Sequence, residues 1–335
     1  MKLLVTGGAG FLGTAIVLRL LERGDTVRLF QRHAAPELEE SGATVVCGDI
    51  TDADAVVQAA EGCDVVVHTA AKAGVWGSRR EYNATNIDGT RNVIEACLRQ
   101  RIDRLVFTSS PSAVFSGNDE EGIDETAPYP KRYLAEYPRT KAAAERMVLA
   151  ANDSRLATVA LRPHLIWGPC DPHLVPRIVD RARAGRLRLI GDKKKLVDST
   201  YIDNAAEAHL LAVDRLHTSA ACAGKAYFIS NGEPLPMADL INRILVAAHL
   251  PRETRTLSPR VAYIAGTILE WSYRLFDRLE EPPMTRFVAK QLSTAHWFDC
   301  SAAKRDLDYQ PSVSIEEGMR RLEAYLATSS CVETP

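Results

Sequence analysis

The sequence lacks a marked excess of either charge and lacks long apolar runs. It has 41 lysines and arginines against 43 aspartates and glutamates, a formal net charge of -2, so no bulk field attracts it to nucleic acid. No apolar run approaches the roughly 20 residues that span a bilayer. The first strand also meets Gly7 and Gly8 before the apolar region of an export signal could form. We therefore expect a cytoplasmic protein without a transmembrane segment.

Cysteines are too few and too scattered to form a framework. The chain has seven, an odd number, with no Cys-x-x-Cys pair and no cluster. This distribution argues against a disulfide framework and against a structural zinc site. We expect reduced thiols and no metal site.

The chain does contain a regular alternation of β-branched segments with amphipathic ones. This alternation predicts an α/β protein with a Rossmann-type, doubly wound parallel sheet covered by helices on both faces. The predicted strands cover residues 3–6, 26–30, 44–47, 65–69, 105–108 and 158–161. The predicted helices cover residues 11–23, 52–60, 82–99 and 137–151.

The alternation becomes irregular after Pro163, which suggests a second lobe. Helical patterns recur at 175–184, 204–216 and 237–250, and a strand at 226–229 is expected to return to the main sheet. We predict a dinucleotide-binding domain from 1–167 plus 198–232. A smaller, mostly helical substrate lobe would comprise 168–197 plus 233–328, followed by a loose tail at 329–335.

Glycines occupy the junction between the first predicted strand and the first predicted helix. Residues 6–13 read TGGAGFLG, a spacing that lets a pyrophosphate approach the backbone and the free N–H groups of the helix. Glycine turns also serve only to redirect a chain, but the strand before and the helix after favour a dinucleotide site. The candidate contacts here are Gly7, Gly10, Phe11, Leu12 and Gly13.

The end of the second strand bears on the choice of dinucleotide. A carboxylate there would bind a ribose 2′-hydroxyl, whereas residues 30–33 read FQRH, and the guanidinium of Arg32 suits a 2′-phosphate. This favours NADPH over NADH, and the alternative is an Arg32 that is simply solvated. Further cofactor contacts are expected near the ends of later strands, at Asp49, Ile50, Ala70, Ala71, Lys72 and Pro163.

A tyrosine and a lysine lie four residues apart at the start of a predicted helix. Tyr137 and Lys141 therefore share a helix face, and they follow a strand that ends in Ser109 and Ser110, at the sheet edge where open α/β folds bind ligands. Reduction of a ketone by hydride requires a proton donor and donors that hold the oxygen. We expect the Lys141 ammonium and an oxidised nicotinamide to lower the pKa of Tyr137. The alternative is a surface pair on an amphipathic helix.

Five motifs together resemble those of the extended short-chain dehydrogenase/reductases over essentially the whole chain. They are residues 6–13, Ser109-Ser110, Tyr137-x-x-x-Lys141, Asn86-Ile-Asp-Gly-Thr90 and Leu161-Arg-Pro163. The resemblance implies that Tyr137 exchanges the proton with Lys141 as partner, that Ser110 orients the carbonyl, and that Asn86 supports the site. Residues 110–115 are one residue longer than in the related nucleotide-sugar epimerases, so Ser109 remains a second candidate.

Other segments resemble a narrower branch, the hydroxysteroid and sterol-carboxylate dehydrogenases together with the bacterial 2-alkyl-3-oxoalkanoate reductases of long-chain olefin biosynthesis. The segments are 70–77, 160–169, 197–204, 224–234 and 283–287. The resemblance implies NADPH-dependent reduction of a 2-alkyl-3-ketoacid, a homodimer, and condensing and β-lactone-forming enzymes as pathway partners. The Pro-Arg-Thr between Tyr137 and Lys141 keeps a 3β-hydroxysteroid or sterol-carboxylate substrate as the alternative. A cofactor-sensing protein without catalysis is a third interpretation.

An apolar substrate agrees with the composition of the second lobe. Residues 261–279 are apolar nearly all round a predicted helix, which indicates core or a subunit contact, or alternatively an alkyl tunnel or an element peripheral to a membrane. Trp76 is a candidate hydrophobic wall and Ser112 a further substrate contact. A ketoacid carboxylate needs a cation, for which Lys72, His164 and Arg286 are candidates.

Overall fold

The computed structural model describes residues 1–191 and 193–330. The strands are β1 (Lys2–Thr6), β2 (Thr26–Gln31), β3 (Thr44–Cys47), β4 (Val65–His68), β5 (Arg104–Thr108), β6 (Glu120–Ile123), β7 (Ala157–Pro163), β8 (Ile166–Trp167), β9 (Leu189–Ile190), β10 (Leu196–Val197), β11 (Thr200–Tyr201), β12 (Lys225–Ile229), β13 (Leu235–Pro236), β14 (Thr256–Leu257) and β15 (His296–Phe298). The helices are α1 (Phe11–Glu22), α2 (Pro36–Glu40), α3 (Ala53–Ala60), α4 (Arg79–Tyr82), α5 (Gly89–Gln100), α6 (Glu136–Ala150), α7 (Leu174–Arg183), α8 (Ile202–Arg215), α9 (Met237–Ala247), α10 (Pro259–Leu275), α11 (Arg286–Gln291), α12 (Ser301–Leu307) and α13 (Ile315–Ser330).

The main sheet of the described residues has seven parallel strands in the order β12-β7-β5-β4-β1-β2-β3. Alternate residues of β1 face opposite layers: Leu3 and Val5 pack with α1 and α8, whereas Leu4 packs with α3 and α5. Burial on both faces explains why the strands read as continuous apolar segments. The predicted doubly wound parallel sheet is confirmed, and the strand at 226–229 does return to it beside β7.

A smaller sheet lies in the second lobe, in the order β13-β10-β15-β6. Its strand β6 comes from the first half of the chain and pairs with β15 in parallel. A strand from the first 167 residues therefore joins a sheet whose other strands come from the segments predicted as the substrate lobe. The domain boundaries given above remain a prediction.

Three predicted elements differ from the structure. The helix expected at 82–99 begins earlier, as α4, because Ser78 caps the backbone N–H of Glu81, and it then passes through a π-helical turn at Asn83–Asp88 into α5. The helix expected at 261–279 ends at Leu275, since the chain adopts φ +47° at Asp277. Of the tail expected at 329–335, the first two residues belong to α13, and 331–335 lie outside the described residues.

A buried ion pair fixes α6 to the main sheet. Arg162 of β7 donates two hydrogen bonds to Glu145 of α6, at 2.9 and 2.7 Å, and the Tyr129 hydroxyl donates a third at 2.6 Å. The side chains of Arg162 and Glu145 are 2% and 0% exposed. Loss of either partner would leave an uncompensated buried charge, which typically costs about 3–5 kcal/mol. The pair therefore defines where α6 lies, and α6 carries Tyr137 and Lys141.

Candidate active site

The glycine loop forms a cradle that side chains would fill. Gly7 has φ +70°, and a Cβ there would come within 2.8 Å of the Ala70 Cα. A Cβ on Gly13 would come within 2.3 Å of the Gly7 carbonyl oxygen, so α1 packs closely against the loop. Gly10 is exposed at the N-terminal end of α1, where free N–H groups and the helix dipole attract a phosphate. This cradle fits a dinucleotide pyrophosphate.

The other predicted cofactor residues gather at the same edge of the sheet. Arg32 is exposed just after β2. The pKa of Asp49, which follows β3, is lowered chiefly by hydrogen bonds from Thr51 and to a smaller extent by the charge of Arg32. Ile50 is buried beside Asp49. Ala70, Ala71 and Lys72 follow β4, Pro163 ends β7, and Phe11 and Leu12 open α1. The carboxyl ends of β1 to β4 and β7 thus present these positions together.

Asn86 connects this edge to the helix that carries the tyrosine. Its Oδ1 accepts from the Lys72 backbone N–H at 2.7 Å, and its Nδ2 donates to the Lys72 carbonyl at 3.2 Å and to Thr140 Oγ1 at 3.0 Å. Asn86 is 2% exposed. Since Thr140 lies between Tyr137 and Lys141, Asn86 ties the loop after β4 to α6.

Tyr137, Ser110 and Lys141 lie together at the start of α6. The Ser110 hydroxyl accepts from the Ser112 hydroxyl at 2.9 Å, and it is near enough to the Tyr137 phenol to oppose the rise of its pKa. The Lys141 ammonium donates to the Thr108 carbonyl and lies 4.2 Å from the centre of the Phe107 ring. The pKa of the buried Glu145 is lowered chiefly by Arg162, against desolvation, and to a smaller extent by Ser109. Ser110 is therefore the serine that affects the phenol, whereas Ser109 affects Glu145.

Burial controls the protonation of Tyr137 and Lys141. It raises the pKa of Tyr137, an effect that the hydrogen bond from Ser110 opposes. It also lowers the pKa of Lys141 to about 7, against the charge of Glu145, which raises it. The sequence predicted a lowered pKa for Tyr137 with both Lys141 and an oxidised nicotinamide beside it. In the protein alone the direction is the opposite, because Lys141 binds Thr108 and desolvation dominates.

A cavity of about 390 Å³ opens beside the N-terminus of α6. Its wall includes residues 133–136, which immediately precede Tyr137, together with Trp76 and Phe287. Trp76 is held in place because its indole N–H donates to the Arg278 carbonyl at 3.0 Å. Its basic lining residues are Arg274, Arg278 and Arg286. Its acidic lining residues are Glu136, Glu270 and Asp277, so the cavity combines apolar walls with charges of both signs beside the residues that precede Tyr137.

Two predicted substrate residues lie away from an open cleft. His164 is 5% exposed, its Nε2 lies 2.7 Å from the His296 Nδ1, and burial lowers its pKa well below the ordinary value. A buried imidazole whose pKa is lowered is poorly suited to bind a carboxylate, so this arrangement does not support His164 as the substrate cation. Ser112 is 4% exposed and donates its hydroxyl to Ser110, an arrangement that can orient Ser110.

The remaining candidate cations are paired. Lys72 lies 3.0 Å from Glu81, and Arg286 lies 2.8 Å from the buried Glu270. Arg286 lines the cavity, whereas Lys72 is absent from its lining. The structure therefore favours Arg286 over Lys72 beside a substrate in this cavity.

Sequence reasoning did not single out four residues that shape the site. Glu145 lies one helical turn after Lys141, a spacing that could have indicated it. Gln31 accepts from the Ala9 backbone N–H at 2.8 Å and so holds the glycine loop to the end of β2. Arg274 lies at the end of α10 and Arg278 just after it. Both line the cavity because this segment packs against Trp76, which is far away in the sequence, so no local pattern reveals their placement.

These features define a class of protein. The site has a glycine cradle for a dinucleotide, a tyrosine and a lysine on one face of a helix, and a serine near the phenol. This combination is typical of a nicotinamide-dependent oxidoreductase of the extended short-chain type. The family model described as the 3-beta hydroxysteroid dehydrogenase/isomerase family matches residues 4–259. The chain belongs to this family.

Relatives with assigned activities cover nearly the whole chain. The 2-alkyl-3-oxoalkanoate reductases of Shewanella oneidensis and Stenotrophomonas maltophilia are 53% and 54% identical to it, over 96% and 97% of this chain and 85% and 99% of theirs. The mouse sterol-4-alpha-carboxylate 3-dehydrogenase is 34% identical over 96% of this chain and 89% of its own.

Solved structures share the fold. The UDP-glucose 4-epimerase of Thermus thermophilus, in complex with NAD, superposes with a TM-score of 0.74 at 26% identity, covering 98% of this chain and 99% of that one. In the part of the chain that the structure describes, no helix is both long and apolar enough to cross a membrane.

The two serines differ in a testable way. Replacement of Ser110 by Ala should lower kcat about a hundredfold, because it removes a donor to the developing oxyanion. The matched change Ser109→Ala should leave kcat nearly unchanged, since Ser109 affects Glu145 rather than the phenol. Steady-state oxidation of reduced cofactor measures both, and equal losses in the two variants would contradict the assignment.

Proposed function

We propose that this protein reduces a 2-alkyl-3-oxoalkanoate to the 2-alkyl-3-hydroxyalkanoate with NADPH, as a step of long-chain olefin biosynthesis. The observation that carries the proposal is the placement of Ser110, just after β5, with Tyr137 and Lys141 at the start of α6, beside a cavity that has apolar walls and charged groups of both signs. The identity of 53–54% to relatives named for this reaction supports the choice of substrate.

The nicotinamide cofactor supplies the hydride when bound, and residues of this chain position the substrate and transfer the proton. Ser110 donates a hydrogen bond to the carbonyl oxygen of the substrate and thereby fixes its position. The Tyr137 phenol, kept protonated by burial, donates its proton to that oxygen as negative charge develops. Lys141, whose pKa is about 7, then stabilises the resulting phenolate when the lysine carries its proton.

The lining of the cavity includes groups that suit both ends of such a substrate. Trp76 and Phe287 provide apolar wall for alkyl groups, and Arg286 provides a cation for the carboxylate. Arg286 is held by Glu270, to which both its backbone N–H and its Nε donate, at 2.7 and 2.9 Å. An arginine fixed in this way loses little conformational entropy on binding a carboxylate.

Arg32 supports NADPH as the cofactor. Its guanidinium is exposed at the end of β2, at the edge where the ribose of a dinucleotide on the glycine loop would lie. We further propose that the protein is a homodimer that acts in the cytoplasm or peripherally at a membrane. It would receive its substrate from a condensing enzyme and pass the product to a β-lactone-forming enzyme.

A second candidate is oxidation of a 3β-hydroxysteroid or a sterol carboxylate by the same three residues. The family model and the mouse relative favour it. The chain is closer in identity to the ketoacid reductases than to the sterol enzyme, which places this candidate second.

The two candidates are separated by offering both substrates to the purified protein. A synthetic 2-alkyl-3-ketoacid with NADPH should give steady loss of absorbance from the reduced cofactor, whereas a 3β-hydroxysteroid with NADP+ or NAD+ should give no comparable gain. Rapid turnover of the steroid with inert ketoacid would reverse the order of the candidates. Turnover of neither would indicate a different substrate.

The cofactor preference is tested at Arg32. The change Arg32→Asp places a carboxylate where a 2′-phosphate would lie, so the ratio of kcat/KM for NADPH to that for NADH should fall by at least about tenfold. His33→Asp, one residue further on, is the control. An unchanged ratio in Arg32→Asp would contradict the assignment of NADPH.

A further inference from the structure

The loop that carries Trp76 turns at two glycines. It joins β4 to α4, and its residues 75–78 line the cavity beside α6. Gly74 has φ +84° and Gly77 has φ +135°, backbone conformations that other residues rarely adopt. Glycines offer no side chain by which a loop could be anchored, so another group must fix the path of this one.

Tyr82 supplies that anchor. It is the last residue of α4 and is fully buried. Its hydroxyl oxygen lies 2.9 Å from the Gly74 carbonyl oxygen, 3.2 Å from that of Trp76 and 3.3 Å from that of Ala73. One phenolic proton therefore sits among three carbonyls of the loop. In the described part of the chain, no other hydrogen bond reaches the backbone of residues 73–77.

Both the phenol and its ring suit this role. Burial chiefly, and the charge of Glu281 in addition, raises the pKa of Tyr82, so the hydroxyl keeps the proton that it donates. The loop also encloses the ring. A Cβ on Gly77 would come within 3.4 Å of the ring carbon Cε2, and the Lys72 ammonium lies 5.5 Å from the ring centre. Phenylalanine at this position would keep the packing and lose only the hydrogen bond.

Trp76 is held a second time by the segment at the end of α10. Its indole N–H donates to the Arg278 carbonyl at 3.0 Å, and its ring meets Tyr273 edge to face, with centres 6.1 Å apart. The Arg274 guanidinium lies 5.6 Å from the centre of the indole. Edge-to-face and cation–π contacts depend on how the ring is oriented. A shift of the Trp76 backbone, which the Tyr82 hydroxyl holds, would therefore change all three contacts.

We propose that Tyr82 is a positioning residue for substrate binding, whose hydroxyl fixes loop 73–77 so that Trp76 forms the apolar wall of the cavity beside α6. Tyr82 is absent from the lining of that cavity, whereas Trp76 is part of it, so Tyr82 acts through Trp76. That the wall receives an alkyl group of a ketoacid rests on the proposed function, whereas the fixing of Trp76 does not.

Fluorine NMR of the protein labelled with 5-fluorotryptophan tests the fixing of Trp76 without a substrate. The chain has four tryptophans, and the Trp76 resonance is the one that Trp76→Phe removes. Tyr82→Phe should broaden this resonance and raise its shift between H2O and D2O, because the indole becomes more exposed. The resonance of the fully buried Trp167 should not change. Tyr309→Phe is the matched control, since it removes another buried phenol, which donates to the Ser230 carbonyl at 3.0 Å.

A double-mutant cycle with Trp76→Ala tests whether Tyr82 acts through Trp76. Tyr82→Phe should lower kcat/KM for a 2-alkyl-3-ketoacid about fivefold, mainly through KM, because one hydrogen bond is lost. The Kd for NADPH should stay as in the wild type. In the Trp76→Ala protein the same change should lower kcat/KM less than about twofold, because the wall that Tyr82 positions is already gone. A merely structural role would give equal losses in both backgrounds.

The other outcomes are equally informative. An unchanged Trp76 resonance in Tyr82→Phe, or equal losses of kcat/KM in the two backgrounds, overturns the inference. The same changes in Tyr309→Phe also overturn it, because the effect would then be a general loss of stability. A broadened Trp76 resonance in Tyr82→Phe, together with no reduction of the ketoacid by the wild type, would refute the proposed function and leave the positioning role standing.

Discussion

The buried ion pair between Glu145 and Arg162 is the interaction on which the rest of the site depends. It joins α6 to β7 through two short hydrogen bonds in a region closed to water. Two buried charges are costly unless each satisfies the other, so the pair allows α6 only a narrow range of positions on the sheet. Tyr137, Lys141 and Glu145 follow at intervals of four residues on that helix, which places the phenol, the ammonium and the anchoring carboxylate in one line.

The alignment of these three residues links the stability of the fold to the chemistry of the site. Burial lowers the pKa of Lys141, and the charge of Glu145 opposes this change. The carboxylate that fixes the helix therefore also adjusts the pKa of the lysine one turn away. Asn86 adds a second attachment, from the loop after β4 to Thr140. Both attachments start from the carboxyl ends of parallel strands. The edge that presents the glycine cradle to a dinucleotide therefore also orients the residues that would act on the substrate.

Local patterns predicted the parallel sheet, its crossover helices and the positions of Tyr137, Lys141 and the glycine loop, because each depends on periodicity or on residues adjacent in sequence. They could not assign His164, whose pairing with His296 joins positions 132 residues apart. They also missed which face of α10 is buried. An apolar pattern shows that a helix has an apolar side, but close packing at Gly266 decides which side meets the protein. Tertiary contacts, not propensity, determine both.

The central claim is that Tyr137 transfers a proton to a ketoacid held beside it, and the change Tyr137→Phe tests it most directly. Reduction of a 2-alkyl-3-ketoacid should fall by at least about a hundredfold, while fluorescence titration should give a Kd for NADPH close to that of the wild type. Retention of most of the activity in Tyr137→Phe would contradict the account, because the phenol would then not be the proton donor.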